Sequence, residues 1–261
     1  MQQNHPRRVL TVILLAIFLD LVSYGILIPV VPQLFANPDS TYYLLGTSTP
    51  LSHGYVLLGL LIAIFPIVQF FSAPILGQYS DFHGRRKVLT MTLIGTSVSF
   101  VIFALGIGFR SIFLLFFSRA IGGILGGNIS VAQASIADIT KPNQRAKHFG
   151  LIGAAYGTGF IIGPVIGGIL SDSHLVSWFT SATPFWFAAG LSALNAFLVY
   201  RFMGETNRLV RSKIITWSKA INDIVHAYGL KRLRAIFVTN FFFNAGITFV
   251  ATFFSVYLID R

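Results

Sequence analysis

Seven long apolar runs, separated by polar stretches, dominate the chain, at about 9–35, 55–77, 88–108, 111–137, 148–170, 183–203 and 234–258. A helix crosses the ~30 Å hydrocarbon core of a bilayer with ~20 mostly apolar residues, so each run predicts one membrane span. The predicted fold is therefore an all-α membrane protein: a six-helix N-terminal bundle, a cytoplasmic linker and a seventh transmembrane helix. Residues 1–204 hold the six helices, joined by short loops except for an outer loop at about 36–54. That loop, with Asn37-Pro-Asp-Ser-Thr-Tyr-Tyr, reads as plain connection. Residues 205–233 form a basic linker. Within it Trp217, Ile221, Ile224, Val225 and Tyr228 follow helical spacing, with Lys219, Asn222, Asp223 and His226 off that face, which predicts a short amphipathic helix on the inner leaflet. Residues 234–261 carry the seventh span, read as the start of a second bundle.

Composition makes the membrane reading firm. The 261 residues are 54% hydrophobic with 26 Phe, at a mean hydropathy of +0.74. No soluble domain of this size has interior enough for that much apolar surface. The first run follows His5-Pro-Arg-Arg8, is too long for a signal-peptide core, and has no small-residue cleavage site after it. The net charge of +11 raises nucleic acid as a partner, but the distribution of the bases excludes it. All 19 Lys and Arg except Arg110, Arg119 and Arg261 fall on one side of the predicted membrane, the side of the N-terminus. The positive-inside bias then places the N-terminus in the cytoplasm of a multi-pass protein of the cell's inner (plasma) membrane. With no Cys, disulfide scaffolds and Cys-based metal sites are excluded. Neither a phosphate-binding P-loop, a metal-ligand cluster nor a nucleophile–base constellation occurs, so the chain reads as no enzyme, with no cofactor and no metal site. The scattered His near ends and loops read as surface residues.

Against this apolar background a few polar residues stand out. Asp20 lies about eleven residues into the first span, ~16 Å along its axis, and Arg119 lies about eight residues into the fourth. Ionisable groups at such depth are costly and by default functional, facing the bundle interior. A carboxylate that couples to protons needs burial and a positive partner that can come and go, which Asp20 near Arg119 would supply; the alternative is a static ion pair that fixes helix packing. Tyr24, one turn beyond Asp20, shares its face and could line a cavity. Gln69, Asn128 and Gln133, with Asn240 and Asn244 in the last span, are candidates for the cavity wall or for interhelical hydrogen bonds. Between the second and third runs, Gly77 to Leu89 packs Asp81, Arg85, Arg86, Lys87 and two glycines into a tight turn, where Asp81 can accept from Arg85 or cap the following helix. The fifth span carries Gly150, Gly153, Gly157, Gly159, Gly163-Pro164, Gly167 and Gly168, a smooth face for another helix with a bend at Pro164.

Taken together these residues resemble the major facilitator superfamily, in particular its twelve-helix drug–proton antiporters, which include the tetracycline exporters. The resemblance is carried by Asp20-x4-Gly25-x3-Pro29-x2-Pro32 in span 1 and by Gly77-x3-Asp81-x2-Gly84-Arg85-Arg86-Lys87 between spans 2 and 3. It continues in Arg119-x3-Gly123 of span 4, in Gly153-x3-Gly157-x5-Gly163-Pro164-x2-Gly167-Gly168 of span 5 and in Gly204-Glu205-Thr206 at the end of span 6. It implies alternating access, two bundles rocking around a midplane cavity. Asp20 would be the proton-coupling acid and Arg119 its partner, in a substrate cavity with Tyr24, Asn128 and Gln133. Gly77, Asp81, Gly84, Arg85 and Arg86 would form a cytoplasmic latch, and Gly153, Gly157, Gly163, Pro164, Gly167 and Gly168 a seam that controls leakage. Phe82 and Tyr79 stand where the family commonly has Arg and Leu, which removes one charge from the latch.

The implied function is secondary active transport, as proton-driven export of a drug-like or amphipathic small molecule, with the proton gradient as energy source. The alternatives are a metabolite or sugar carrier of the same superfamily, or a degenerate membrane fragment that transports nothing. The family has two six-helix halves and this chain one half plus a helix. The expectation is therefore a fragment that needs the missing half, or another chain, for activity.

Overall fold

The polar stretch between the second and third apolar runs is not a loop. In the computed structural model, which describes residues 6–46, 49–207, 229–230, 234–239, 241–243 and 245–246, two helices run through it from either side. Helix α3 (Leu51–His83) and helix α4 (Arg85–Gly108) are separated by Gly84 alone. Gly84 holds φ at +92°, a conformation that a side chain makes costly, and this one residue turns the chain from one span into the next.

The other helices follow in order: α1 (Pro6–Gly25), α2 (Leu27–Phe35), α5 (Ile112–Leu125), α6 (Asn128–Ile139), α7 (Arg145–Ser171) and α8 (Thr183–Phe202), with a 3-10 turn at Pro142–Gln144 before α7. They build six segments long and apolar enough to cross a membrane: Arg7–Phe35, Leu51–His83, Arg85–Gly108, Ile112–Ile139, Pro142–Ser171 and Thr183–Phe202. The predicted boundaries fall short mainly at the polar ends, where helices continue past the last apolar residue.

Two of the six spans are broken. Span 1 divides into α1 and α2 around Ile26, just before Pro29, which has no N–H to offer a carbonyl one turn back. Span 4 divides into α5 and α6 at Gly126-Gly127. Carbonyls at the break find side-chain donors on α3: Gln69 donates to the Gly126 carbonyl and Ser72 to that of Gly123 at 2.7 Å, while the Gly127 carbonyl accepts both the Val131 N–H at 3.3 Å and the Ser130 hydroxyl at 2.7 Å. In hydrocarbon such groups must be satisfied from within the protein, and here α3 supplies much of what the break requires.

The core lies along α1. Val9, Ile13, Ile17 and Leu21 recur every four residues on one face and pack against Leu89 and Leu93 of α4, Val131 and Ile136 of α6, and Val199 and Met203 of α8. The closest-packed helix pairs are α4 with α8, α1 with α7, α3 with α5 and α4 with α5. Only 11% of the apolar window of α3 and 17% of that of α7 is buried, against 56% for α4. Spans 2 and 5 are thus the elements with open faces, carrying Leu60, Ile67, Phe70 and Phe71 on one and Ile161, Val165 and Ile169 on the other.

The chain separates into two compact units, Met1–Ser212 and Lys213–Arg261. In the second, residues 234–239, 241–243 and 245–246 are helical. The predicted amphipathic segment Trp217–Tyr228, Asn240 and Asn244, and the end of the predicted seventh span lie outside the described residues.

Candidate functional site

The breaks in spans 1 and 4 bring two polar side chains together. Asn128, first residue of α6 and buried, donates from its Nδ2 to Asp20 Oδ1 at 2.8 Å, while its own Oδ1 accepts the N–H of Ile129 at 2.8 Å. Beside this pair lies a cavity of about 10 Å³ lined by Ala16, Ile17, Leu89, Leu93 and Ala132, on the order of the space one water needs. Asp20 is partly buried, with the Asn128 amide on one carboxyl oxygen and this small void beside it.

Arg119 does not join it. The ion pairs among the described residues all belong to Arg85, and the Asp20 carboxylate is met by Asn128 instead. The reason is distance along span 4: Arg119 precedes Asn128 by nine residues, ~13.5 Å of helix rise. Arg119 is 3% exposed, its guanidinium carbon 4.8 Å from the centre of the Phe103 ring, 5.6 Å from Phe100 and 5.7 Å from Phe65. Its Nε has no acceptor. Three aromatic faces temper the charge without neutralising it. Tyr24, one turn beyond Asp20, packs its ring against Phe65 of α3 and Phe160 of α7 at 5.7 and 6.2 Å. Gln133 is partly exposed and apart from the network. It lies five residues beyond Asn128, which turns it to another face of α6.

At the basic end of the bundle, Arg85 gathers a second group. Its Nη2 lies 2.5 Å from Asp81 Oδ1, and its Nε donates to Asp138 Oδ2 at 3.1 Å. Its Nη1 donates to Ser80 Oγ at 2.5 Å and to the Gly77 carbonyl at 3.3 Å. The side chain is 9% exposed, so a planar fork inserted among two carboxylates, a hydroxyl and a carbonyl ties α3, α4 and α6 at one point. Asp81 does not cap α4. That work falls to Glu205, just past α8, whose Oε1 and Oε2 accept the N–H groups of Arg85 at 2.8 Å and Arg86 at 3.3 Å. A Cβ on Gly84 would stand 2.5 Å from Glu205 Oε2, so the glycine both turns the chain and admits the cap. Arg86 donates to the Tyr200 carbonyl and stacks on the Tyr200 ring at 4.9 Å, and Asn207 donates to the Asp81 carbonyl at 2.8 Å. The predicted latch residues Asp81, Gly84, Arg85 and Arg86 thus meet, with Gly77 contributing its carbonyl. Asp138, Tyr200 and Glu205 are the additional members.

The glycines of α7 divide between two faces. A Cβ at Gly163 would meet the Gly25 Cα at 2.7 Å and the Val22 carbonyl oxygen at 2.8 Å; one at Gly167 would meet the Ile26 carbonyl oxygen at 2.5 Å; one at Gly159 would meet the Leu21 Cβ at 2.7 Å. These three, spaced by four, pack α7 on the broken span 1, with Pro164 3.1 Å from the Cβ position of Gly25. Gly150, Gly153, Gly157 and Gly168 have nothing within 4 Å of a Cβ position. The predicted seam is therefore half a contact within the bundle, through Gly163, Pro164 and Gly167, and half an open face, through Gly153, Gly157 and Gly168.

Comparison with known proteins agrees with this geometry. The sequence matches the Major Facilitator Superfamily over residues 13–261. It is 37% identical over 199 residues to the class C tetracycline resistance protein of Escherichia coli, covering 76% of this chain and 46% of that protein. It is 34% identical over 227 residues to multidrug resistance protein 1 of Bacillus subtilis (strain 168), covering 87% and 51%. The crystal structure of the human organic anion transporter MFSD10 (TETRAN) superposes with a TM-score of 0.64 at 30% identity, covering 82% of this chain and 51% of that one. The chain spans about half the length of the relatives it matches. By sequence and by fold, the chain belongs to the major facilitator superfamily, a family of membrane transporters and not of enzymes.

Proposed function

We propose that the chain forms the N-terminal bundle of a proton-coupled exporter of drug-like or amphipathic small molecules, acting by alternating access with a second bundle that closes the cavity. The supporting observation is the Asp20–Asn128 pair, held where two spans are interrupted beside a small void. In this reading Asp20 takes up and releases the proton. Asn128 orients the carboxyl in both states, since an amide can donate to one oxygen whether or not the other is protonated. The open glycines Gly153, Gly157 and Gly168 face the second bundle, which accounts for small residues where nothing in this bundle needs them. The likeness to tetracycline and multidrug resistance proteins supports the substrate class.

Everted vesicles carrying the chain, alone and co-expressed with the second half of a relative, test the reading through a pH-sensitive dye. The expected result is substrate-induced proton release only when both halves are present, abolished by Asp20→Asn with the protein still folded. Proton exchange by the Asp20→Asn protein at the unsubstituted rate would remove Asp20 from the mechanism. Robust coupled efflux by the chain alone would remove the need for a second bundle.

A second reading, transport of an organic anion, is favoured by Arg119, a buried cation with no carboxylate partner among the described residues. An anionic solute passing Tyr24 would supply the missing countercharge, and one relative is described as an organic anion transporter. Competition of organic anions against cationic drugs in the same vesicles, with Arg119→Met as the comparison, separates the two.

A further inference from the structure

Between the basic ends of α4 and α8 lies a cleft of about 560 Å³ that is independent of the transport reading. Arg86 and Lys87 stand at its mouth, Thr90, Met91 and Ile94 line it down α4, and Tyr200 faces them from α8. Lys87, Met91 and Ile94 follow one another at helical spacing on one exposed stripe. From Lys87 to Ile94 the stripe descends ~10.5 Å, most of the depth of one leaflet's hydrocarbon layer. It is thus basic at the membrane surface and apolar below, the profile of an amphiphilic anion more than of a soluble ligand.

The charges at the mouth are unequally committed. Arg86 donates to the Tyr200 carbonyl and stacks on its ring at 4.9 Å, which fixes the guanidinium over the cleft edge. Lys87 is exposed and has no ion-pair partner among the described residues. The acid on the lining, Glu205, is already engaged by the backbone N–H groups of Arg85, Arg86, Thr206 and Asn207. Two of those contacts occupy the first two amides of α4, so the side chains of Arg86 and Lys87 carry the positive charge offered to a ligand at this end.

We propose that this cleft is the binding site of one anionic phospholipid, its phosphate held between Arg86 and Lys87 and one acyl chain laid along Met91 and Ile94. Charge complementarity selects the headgroup, and the amphiphilic profile of the stripe selects a lipid over a free phosphate. Tyr200, amphipathic and at the interface, forms the second wall.

The test is native mass spectrometry of the purified, delipidated 261-residue chain, titrated with phosphatidylglycerol or with phosphatidylcholine of the same acyl chains. The expected preference for phosphatidylglycerol is about tenfold. Lys87→Glu should reduce it to about twofold or less, whereas Lys147→Glu, at an exposed lysine on another element, should leave it intact. Should Lys87→Glu fail to fold, Lys87→Gln and Met91→Ser must each weaken phosphatidylglycerol binding by about threefold or more. No headgroup preference in the unsubstituted chain, or equal losses from Lys87→Glu and Lys147→Glu, overturns the site. Displacement of the lipid by excess inorganic phosphate overturns the lipid as occupant and assigns the cleft to a soluble anion.

Discussion

Arg85 and Arg119 are both buried arginines, 8% and 3% exposed, and they are treated in opposite ways. Arg85 has two carboxylates, a hydroxyl and a carbonyl around it. Arg119 has three phenyl faces and an Nε with no acceptor. A guanidinium whose donors are matched by acceptors from several helices is a fixed joint, and removing it strands the acceptors around it. A guanidinium set among aromatic faces, with no carboxylate partner among the described residues, makes no such joint. Burial alone therefore does not mark an arginine as a joint between helices; the census of acceptors does.

The largest effect that would test this contrast is on Arg85. Arg85→Met should cost about 2–4 kcal/mol, because the Ser80 hydroxyl, the Gly77 carbonyl and Asp138 lose a buried donor, while Asp81, 46% exposed, stays solvated. Unfolding in mixed micelles, followed by tryptophan fluorescence, measures it. Next comes the helix junction beneath the broken span: Gly163→Ala should cost about 1–3 kcal/mol, since its new methyl meets backbone atoms that cannot step aside. Gly157→Ala, in the same helix but facing open space, should instead stabilise by about 0.5–1 kcal/mol. Glu205→Gln should cost about 1 kcal/mol through a weakened cap on the helix that carries Arg85. Arg119→Met should change stability by less than about 1 kcal/mol, or raise it, while transport by the two-bundle protein falls. Equal losses from Arg85→Met and Arg119→Met would erase the distinction between the two residues.

The same pair marks how far the sequence could be read. Six of the apolar runs became membrane-crossing helices because hydropathy over ~20 residues is a strong local signal. Asp81 and Arg85 were legible as partners at four-residue spacing. Asp138 and Glu205 were not, since they stand 53 and 120 residues from Arg85 and only the packing of the spans brings them to it. The glycines and prolines that break spans 1 and 4 were in plain view. Hydropathy does not register a missing hydrogen bond, however, so each span read as continuous. Nor could hydropathy tell that Asn128, nine residues beyond Arg119, is the one that reaches Asp20. Likewise, the glycine row of span 5 showed that some helix must approach closely, but its spacing alone could not separate Gly163, against span 1, from Gly157, against nothing.

Where α7 crosses span 1, at Gly163 and Gly25, two backbones touch with no side chain between them. Side chains change rotamer and so act as compliant layers between helices; a backbone-to-backbone contact has no such give. The spacing of the two helices at this crossing, five residues from Asp20, is therefore set by backbone geometry alone, and any side chain added there must push α7 and span 1 apart.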